Sequence, residues 1–243
     1  MKRGIKCIIL ICMIAIIGGC SSNNKKNNTN SDLEKQSKIN IEDIDWKVKQ
    51  GIVDGDRYAL LDYTNNTPYT ITHFELTFEE KDDLKEEDKE KFYKHIKDVV
   101  NADDEGMEEI KNKKIEFYAK SNRIVNKNKT VKNQRVYYYS GIYYLQDASY
   151  INLADPSTAT IEYISNDKIH TAYYDYKSKE YTEDEKTEKA IYWTQGTFKD
   201  KLPKPKAQVI KKDYIDNKKS FSFVACGLTK DDYDSYVDKC KKM

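Results

Sequence analysis

Residues 70–80, TITHFELTFEE, alternate without a break: Thr72, Phe74, Leu76 and Phe78 fall on one side of an extended chain, and Ile71, His73, Glu75 and Thr77 on the other. A period of two commits a segment to a strand with one face against a core and one toward water. Such a strand needs neighbours, because unpaired backbone N–H and C=O groups cannot be buried alone. The flanking sequence supplies them. WKVKQGI and RYALLDYTN bracket VDGD at 53–56, where Asp-Gly signals a tight hairpin. TNNTPY then forms a turn punctuated by Pro68 before the alternating run begins.

The period changes at 83–100, DLKEEDKEKFYKHIKDVV. Asp83 and Glu86 stand at capping-box spacing, and Leu84, Phe92, Ile96, Val99 and Val100 recur at helical intervals. A second, shorter helix is expected over Glu105–Asn112, so that 83–112 reads as a helical insertion between strands. KKIEFYAK, TVKNQRVYYYSG, TATIEYI and IHTAYYDYK restore the strand pattern, the last two joined by a hairpin at SNDK, 165–168. Short strands separated by turn signals predict an antiparallel sandwich. TEDE at 182–185 reads as the cap of a short helix running toward Trp193. KLPKPK at 201–206 is an extended linker, since two prolines so close disfavour regular structure. Beyond it, AQVIKKDYI and KSFSFVAC form a hairpin around 216–218. Thr229–Lys241 is a capped helix carrying Tyr233, Tyr236, Val237 and Cys240 on one stripe. The segment 207–243 is too small to be stable by its own burial and is expected to dock on 41–200.

Charge excludes one class of partner. Lys+Arg 42 against Asp+Glu 41 gives a net charge of +1, whereas a nucleic-acid binder carries a basic surplus or stripe. Twenty tyrosines also argue for a folded body, because disordered chains are poor in aromatics.

The first residues belong to targeting. Met1–Lys6 is positively charged, Cys7–Ile17 is apolar, and Gly18 and Gly19 are small enough for a signal peptidase. A spanning helix needs about 20 apolar residues, and this run is shorter. IIGGC at 16–20 resembles the lipobox of bacterial lipoproteins. The resemblance implies removal of 1–19, a diacylglyceryl thioether on Cys20 and, commonly, further acylation of the new amino terminus (palmitate is one such chain). Two chains anchor stably where one does so only marginally. Residues 20–40, rich in Asn, Lys and Ser, then form a disordered tether, since they bury too little apolar surface to offset the entropy of ordering. About 20 flexible residues reach roughly 25 Å.

YTNNTPYTITHFELTFEEK at 63–81 is similar to the immunoglobulin-like β-sandwiches of uncharacterised lipoproteins from Gram-positive bacteria. SFSFVACGLTKDDYDSYVDKCKK at 220–242 is similar to a C-terminal segment of other such lipoproteins. The resemblance implies a mainly β (α+β) fold: an antiparallel immunoglobulin-like sandwich at 41–200 with an inserted helical arm and a small C-terminal hairpin-plus-helix unit. It implies an address at the outer face of the cell membrane and carries no catalytic motif.

The chemistry-bearing residues are few. Cys226 and Cys240 are the cysteines left after the signal and the lipid site. Outside the membrane they are free to form a disulfide, worth roughly 3 kcal/mol for a loop of about 15 residues; alternatively Cys240 is a small core residue on the helix stripe. NADDEGMEEIKN at 101–112 approximates a calcium loop, but its closing glutamate is replaced by Asn112, so an acidic connection between helices is expected instead. His73, His95 and His170 stand apart from any HExxH, GxSxG or SxxK pattern, and no metal, cofactor or catalytic set is expected. Tyrosines crowd 137–144 and 173–176. Alternate members must face opposite sides of a strand, so some point outward as amphipathic rings, with Tyr138, Tyr143, Tyr144 and Tyr174 the candidate ligand contacts. The expectation is a non-enzymatic binding or structural protein, anchored through Cys20 and meeting an envelope protein or wall polymer. An envelope hydrolase using paired carboxylates, or an accessory subunit or chaperone of an exporter, stands as the alternative.

Overall fold

The computed structural model describes residues 39–146 and 149–243; the expected signal segment, Cys20 and the tether up to residue 38 lie outside the described residues. The fold is mainly β. Ten strands form one antiparallel sheet: β1 Ile44–Val53, β2 Asp56–Asn65, β3 Thr70–Glu80, β4 Glu116–Ser121, β5 Lys129–Tyr139, β6 Tyr144–Leu145, β7 Ala154–Ser165, β8 Lys168–Asp175, β9 Glu180–Glu183 and β10 Glu188–Lys189. Their order is β1-β2-β5-β4-β3-β7-β8-β10, with β6 on β5 and β9 on β8. Helices α1 (Glu86–Val100) and α2 (Asp104–Lys111) lie between β3 and β4 in the chain. A two-stranded sheet, β11 (Val209–Asp216) with β12 (Phe221–Cys226), and helix α3 (Lys230–Lys241) follow. The described residues fall into two units: 39–165 with 170–187, and 166–169 with 188–243.

Turn chemistry sets the hairpins. Asp54 and Gly55 have φ 56° and 94°, the two left-handed positions of a type I′ turn. They lock β1 onto β2 from Val53↔Asp56 to Ile44↔Asn65. Asn166 and Asp167, φ 50° and 59°, do the same for β7 and β8. Asn65 is fully buried and makes four side-chain bonds. Its amide donates to the carbonyls of Tyr69 (2.8 Å) and Val125 (2.7 Å). Its oxygen accepts from the N–H (3.0 Å) and hydroxyl (2.7 Å) of Thr67. The buried polar side chains of the turn after β2, Asn65 and Thr67, are thus both bonded, which is what burial of polar groups requires.

Strand β5 changes partner along its length. Its first half pairs with β2, and Val136–Tyr138 pair with β4. An irregularity between Leu61 and Tyr63 interrupts the pairing with β2, with Asn133 at φ 58°, and Gln134 and Arg135 resume it before the change to β4. The Asp62 carboxylate accepts the Asn133 N–H at 2.8 Å and pairs with the Lys49 ammonium. Burial pushes the Asp62 carboxyl up, but Lys49 and the Asn133 N–H outweigh it, and the group titrates below its ordinary range.

The alternation in β3 holds from Thr72 onward: Thr72, Phe74, Leu76 and Phe78 are buried while His73, Glu75 and Thr77 are half-exposed. Ile71, expected on the outward face, is fully buried, because the register against β7 shifts between Ile71 and His73. The core joins Phe74, Leu76 and Phe78 to Leu61 and Tyr63 of β2, Phe117 and Ala119 of β4, Val136 and Tyr138 of β5, and Ile161 and Tyr163 of β7. The helices add Phe92, Tyr93, Ile96, Met107 and Ile110. Phe92 meets Tyr138 edge-on at 5.2 Å and Phe117 at 6.1 Å, arrangements favoured by the ring quadrupoles.

Three local expectations are corrected. The capping box at Asp83 and Glu86 does not form: α1 starts at Glu86 after Lys85, with no side-chain cap. Three acidic residues, Glu86, Glu87 and Asp88, face the positive helix end in its place. Along α1 the buried stripe is Phe92, Tyr93 and Ile96, and Val99 is exposed. The helix expected from TEDE is absent as well. Thr182 and Glu183 end strand β9, which pairs with β8 from Ala172↔Glu183 to Asp175↔Glu180; sheet pairing overrides the local cap signal.

In the second unit, Trp193 meets Phe221 and Phe223, each at 5.3 Å, and Phe223 meets Tyr236 of α3 at 6.2 Å. Thr229 caps α3 by accepting the Asp232 N–H, and the expected stripe faces inward, Tyr236 buried and Tyr233, Val237 and Cys240 half-buried. Cys226 and Cys240 are both half-buried free thiols, and burial pushes the Cys226 thiol up.

Candidate functional site

The outward face of β3, β4, β5 and β6 carries a continuous strip of ring and guanidinium planes. Tyr118 on β4 and Tyr137 on β5 stand directly opposite in register, their rings 5.5 Å apart and 21° from parallel. Tyr137 meets Tyr144 of β6 at 4.9 Å, and Tyr144 is the register partner of Tyr139. Tyr139 and Tyr144 are 46% and 55% exposed. Gln146 donates its amide to the Tyr144 hydroxyl at 3.1 Å and accepts from Arg135 at 2.9 Å. The Arg135 guanidinium lies 4.3 Å from the ring centre of Tyr58 on β2 and 3.3 Å from Asp54.

The other flank is polar. The Tyr118 hydroxyl donates to Glu116. Glu75 accepts from Lys120 at 3.2 Å and lies 3.6 Å from Nε2 of His73, whose Nδ1 is 2.7 Å from Asn122. His73 beside it, with Lys120, holds the Glu75 carboxyl below its ordinary range despite partial burial. Partial burial pushes the Tyr118 and Tyr137 phenols up; Glu116 reinforces the shift at Tyr118, and Glu75 at Tyr137. Both therefore stay protonated donors at neutral pH.

The hairpin that carries Tyr144 is fastened beneath. Gly141 takes φ 94°, and the Ser140 hydroxyl accepts the Tyr143 N–H at 3.0 Å. Lys113 donates to the Ser140 carbonyl at 2.7 Å. Tyr143 closes over α2 at Gly106, where a Cβ would come within 2.5 Å of its hydroxyl. Side-chain rigidity of this kind lowers the ordering cost of any later contact.

Of the four tyrosines expected to meet a ligand, the structure brings only Tyr144 to the strip. Tyr138 is corrected: it is 2% exposed and packs on Phe92 and Phe117, because parity on β5 turns it to the core. Tyr143 is half-buried as the hairpin anchor, and Tyr174 is half-buried between Tyr176 (5.0 Å) and Tyr181 (4.8 Å). Sequence reasoning missed Tyr58, Tyr118, Tyr137 and Arg135 as members, naming Tyr138 in place of Tyr137; only cross-strand register assembles them. The three histidines are dispersed: His95 lies against Tyr150 at 5.1 Å and His170 stacks on Tyr163 at 5.3 Å. In the acidic loop, Asp103 serves as the cap of α2, accepting the Gly106 N–H. Among the described residues no group of three His, Cys, Asp or Glu side chains converges as a metal site.

Two further places could hold chemistry. Glu79 and Glu116 are register partners on the same face. Lys114 and Ser157 hold Glu79 below its ordinary range, the reverse of what a general acid needs. A groove of about 600 Å³ between α1 and α2 has Tyr93 and Met107 at its base. Its rim cations are already paired, Lys97 with Asp104 at 2.8 Å and Lys111 with Glu90 at 3.4 Å. Comparison with protein-family models, curated proteins and solved structures finds no match to this chain.

Proposed function

We propose that the chain is a lipid-anchored binding protein of the bacterial cell envelope, without enzymatic activity, held at the outer face of the membrane through Cys20. The observation that carries this reading is the order of the first residues: charged, apolar, small, cysteine, then a polar tether. The aromatic strip supplies a contact surface, rigidly held and open to solvent. No helix among the described residues is long and apolar enough to cross a membrane, so on this reading the anchor is the lipid.

We also propose the finer fold, an immunoglobulin-like pair of layers with β1 and β2 on one side, β3, β4, β7 and β8 on the other, and β5 passing between them. It is supported by the change of partner along β5 and by rings that meet across the interior, Tyr63 with Phe74 at 4.8 Å and Trp46 with Phe78 at 6.0 Å.

Mass spectrometry of the chain extracted from bacterial membranes tests the anchor. A diacylglyceryl thioether on the peptide beginning at Cys20, and release of Cys20→Ala from the membrane fraction, are the expected results. An unmodified chain recovered from the cytosol overturns the reading.

A further inference from the structure

We propose that the Tyr118–Tyr137–Tyr144 strip is a subsite for an uncharged, β-linked glycan chain, an assignment that rests on the envelope address proposed above. Shape is the first argument. The strip lies on an open sheet face and not in a cleft, so it suits a polymer lying across it. A small molecule needs the enclosure that buries most of its surface.

The second argument is chemical. A pyranose ring with equatorial substituents has two C–H faces and a rim of hydroxyls. The tyrosine rings offer π faces and edges for the C–H groups. Donors and acceptors for the rim stand beside them: the Gln146 amide, the Glu75 carboxylate and the Tyr144 hydroxyl. Ring centres step by 5.5 Å between the register partners Tyr118 and Tyr137, a spacing close to the distance between strands, and by 4.9 Å from Tyr137 to its diagonal neighbour Tyr144. That step is of the same order as the advance per sugar in an extended β-linked chain.

Charge decides between glycan and other partners. Glu75 is paired with Lys120 at 3.2 Å, Glu79 with Lys114 at 3.0 Å and Arg135 with Asp54 at 3.3 Å. Glu116, bonded to the neutral Tyr118 hydroxyl, adds a carboxylate without a cation, so the strip has no positive surplus and offers no attractive field to a polyphosphate wall polymer. A protein partner would have to strip water from these pairs, and desolvating ions opposes association. Sugar hydroxyls can instead bond to the remaining lone pairs while the pairs stay wet.

The test is calorimetric titration of the full chain in detergent with chitotetraose, cellotetraose and a glycerol-phosphate polymer. One or both tetrasaccharides should bind; chitotetraose alone marks an N-acetylated source, both a requirement for the β-linked backbone only. Tyr137→Ala and Tyr144→Ala should each weaken binding about three- to tenfold. Tyr144→Trp should retain it, and Tyr214→Ala, at a 94% exposed tyrosine of the other unit, should change nothing. Circular dichroism verifies that each variant is folded. Failure of both tetrasaccharides, preference for the phosphate polymer, or equal binding by the Tyr137 and Tyr144 variants overturns the assignment. Capture of an envelope protein through Tyr144, with neither sugar bound, overturns it too while leaving the envelope reading standing; a chain lacking lipid at Cys20 sinks that reading alone.

Discussion

Asn65 is the side chain whose loss should cost the larger unit most for its size. Its four bonds tie β2 to the turn at Thr67–Tyr69 and to Val125 before β5. In Asn65→Ala the Val125 carbonyl keeps the Ile71 N–H at 3.0 Å and the Tyr69 carbonyl keeps the Thr67 hydroxyl at 3.3 Å. The Thr67 N–H loses its acceptor inside the protein, which costs about 1–3 kcal/mol, and the bonds removed add about 1 kcal/mol each at most. A net loss of about 3 kcal/mol follows, or about 6–12 °C in Tm for a chain of this length. Asn65→Asp sharpens the test because it is isosteric. It places a carboxyl oxygen against two carbonyl oxygens where the amide stood. The ionised form is repelled, so the introduced carboxyl titrates higher in the folded state than its unfolded value of about 3.9. Below that pH both states hold the proton and the deficit is least. As pH rises, the unfolded state releases its proton first, and stability falls until the folded pKa is passed. Urea unfolding followed by far-UV circular dichroism at pH 4 and pH 7 should show the deficit widening. Asn66→Ala, whose amide reaches only the exposed Asp45 at 2.8 Å, should stay within about 0.5 kcal/mol of the parent. A parent-like Asn65→Ala, or an Asn65→Asp deficit flat with pH, would refute the reasoning.

Three other outcomes are expected. Tyr138→Ala should lower stability by about 3–5 kcal/mol through the cavity it leaves beside Phe92, and Tyr144→Ala by about 0.5 kcal/mol or less; thermal melts of the pair separate the core face from the strip. Lys179 sits at φ 59° in the turn between β8 and β9, and Lys179→Gly should raise Tm slightly, since it relieves about 1–2 kcal/mol of left-handed strain against about 0.5–1 kcal/mol for the entropy glycine adds to the unfolded chain. Asp62 titrates below its ordinary range in the folded state, so its contribution is present above the unfolded pKa of about 3.9 and is lost as pH falls through the folded value. Denaturation of the parent and Asp62→Asn should accordingly differ at pH 7 and converge near pH 2.

The strands were legible wherever burial imposed a period. β3 could be read from Thr72 to Phe78, with Ile71 lost to a register shift, and the hairpins at Asp54–Gly55 and Asn166–Asp167 announced themselves because few residues accept a positive φ. The helix starts were not. Asp83 with Glu86, and Thr182 with Glu185, both spell a capping box, yet one pair lies ahead of α1 and the other closes a strand. A four-residue signal worth about 1 kcal/mol yields to sheet pairing that satisfies a whole row of backbone groups. The face of each tyrosine was hidden for a related reason. Parity says that Tyr137 and Tyr138 oppose one another, but which of them goes inward depends on Phe92, far away in sequence on α1. The strip is less legible still, because Tyr58, Tyr118, Tyr137 and Tyr144 come from four strands and meet only through register.

A structural explanation of these tyrosines is available, since tyrosine favours strands and keeps its hydroxyl wet at a sheet margin. That account predicts rings distributed by strand propensity. The most exposed ring of the strip stands instead on β6, two residues long, which adds little to the sheet. The hairpin behind it is nevertheless held from below by Lys113 on the Ser140 carbonyl and by Tyr143 over Gly106, and from the side by Gln146 and Arg135. Apart from Tyr143, which packs against the core, these points are polar contacts near the surface, each worth only a few tenths of a kcal/mol in stability. What they do is hold Tyr144 beside Tyr137 before anything binds, removing an ordering cost of about 0.5–1.5 kcal/mol per side chain from the binding step. Loosening the hairpin with Lys113→Ala should therefore weaken glycan binding while leaving Tm nearly unchanged. A structural role for the strip requires the opposite pairing of results.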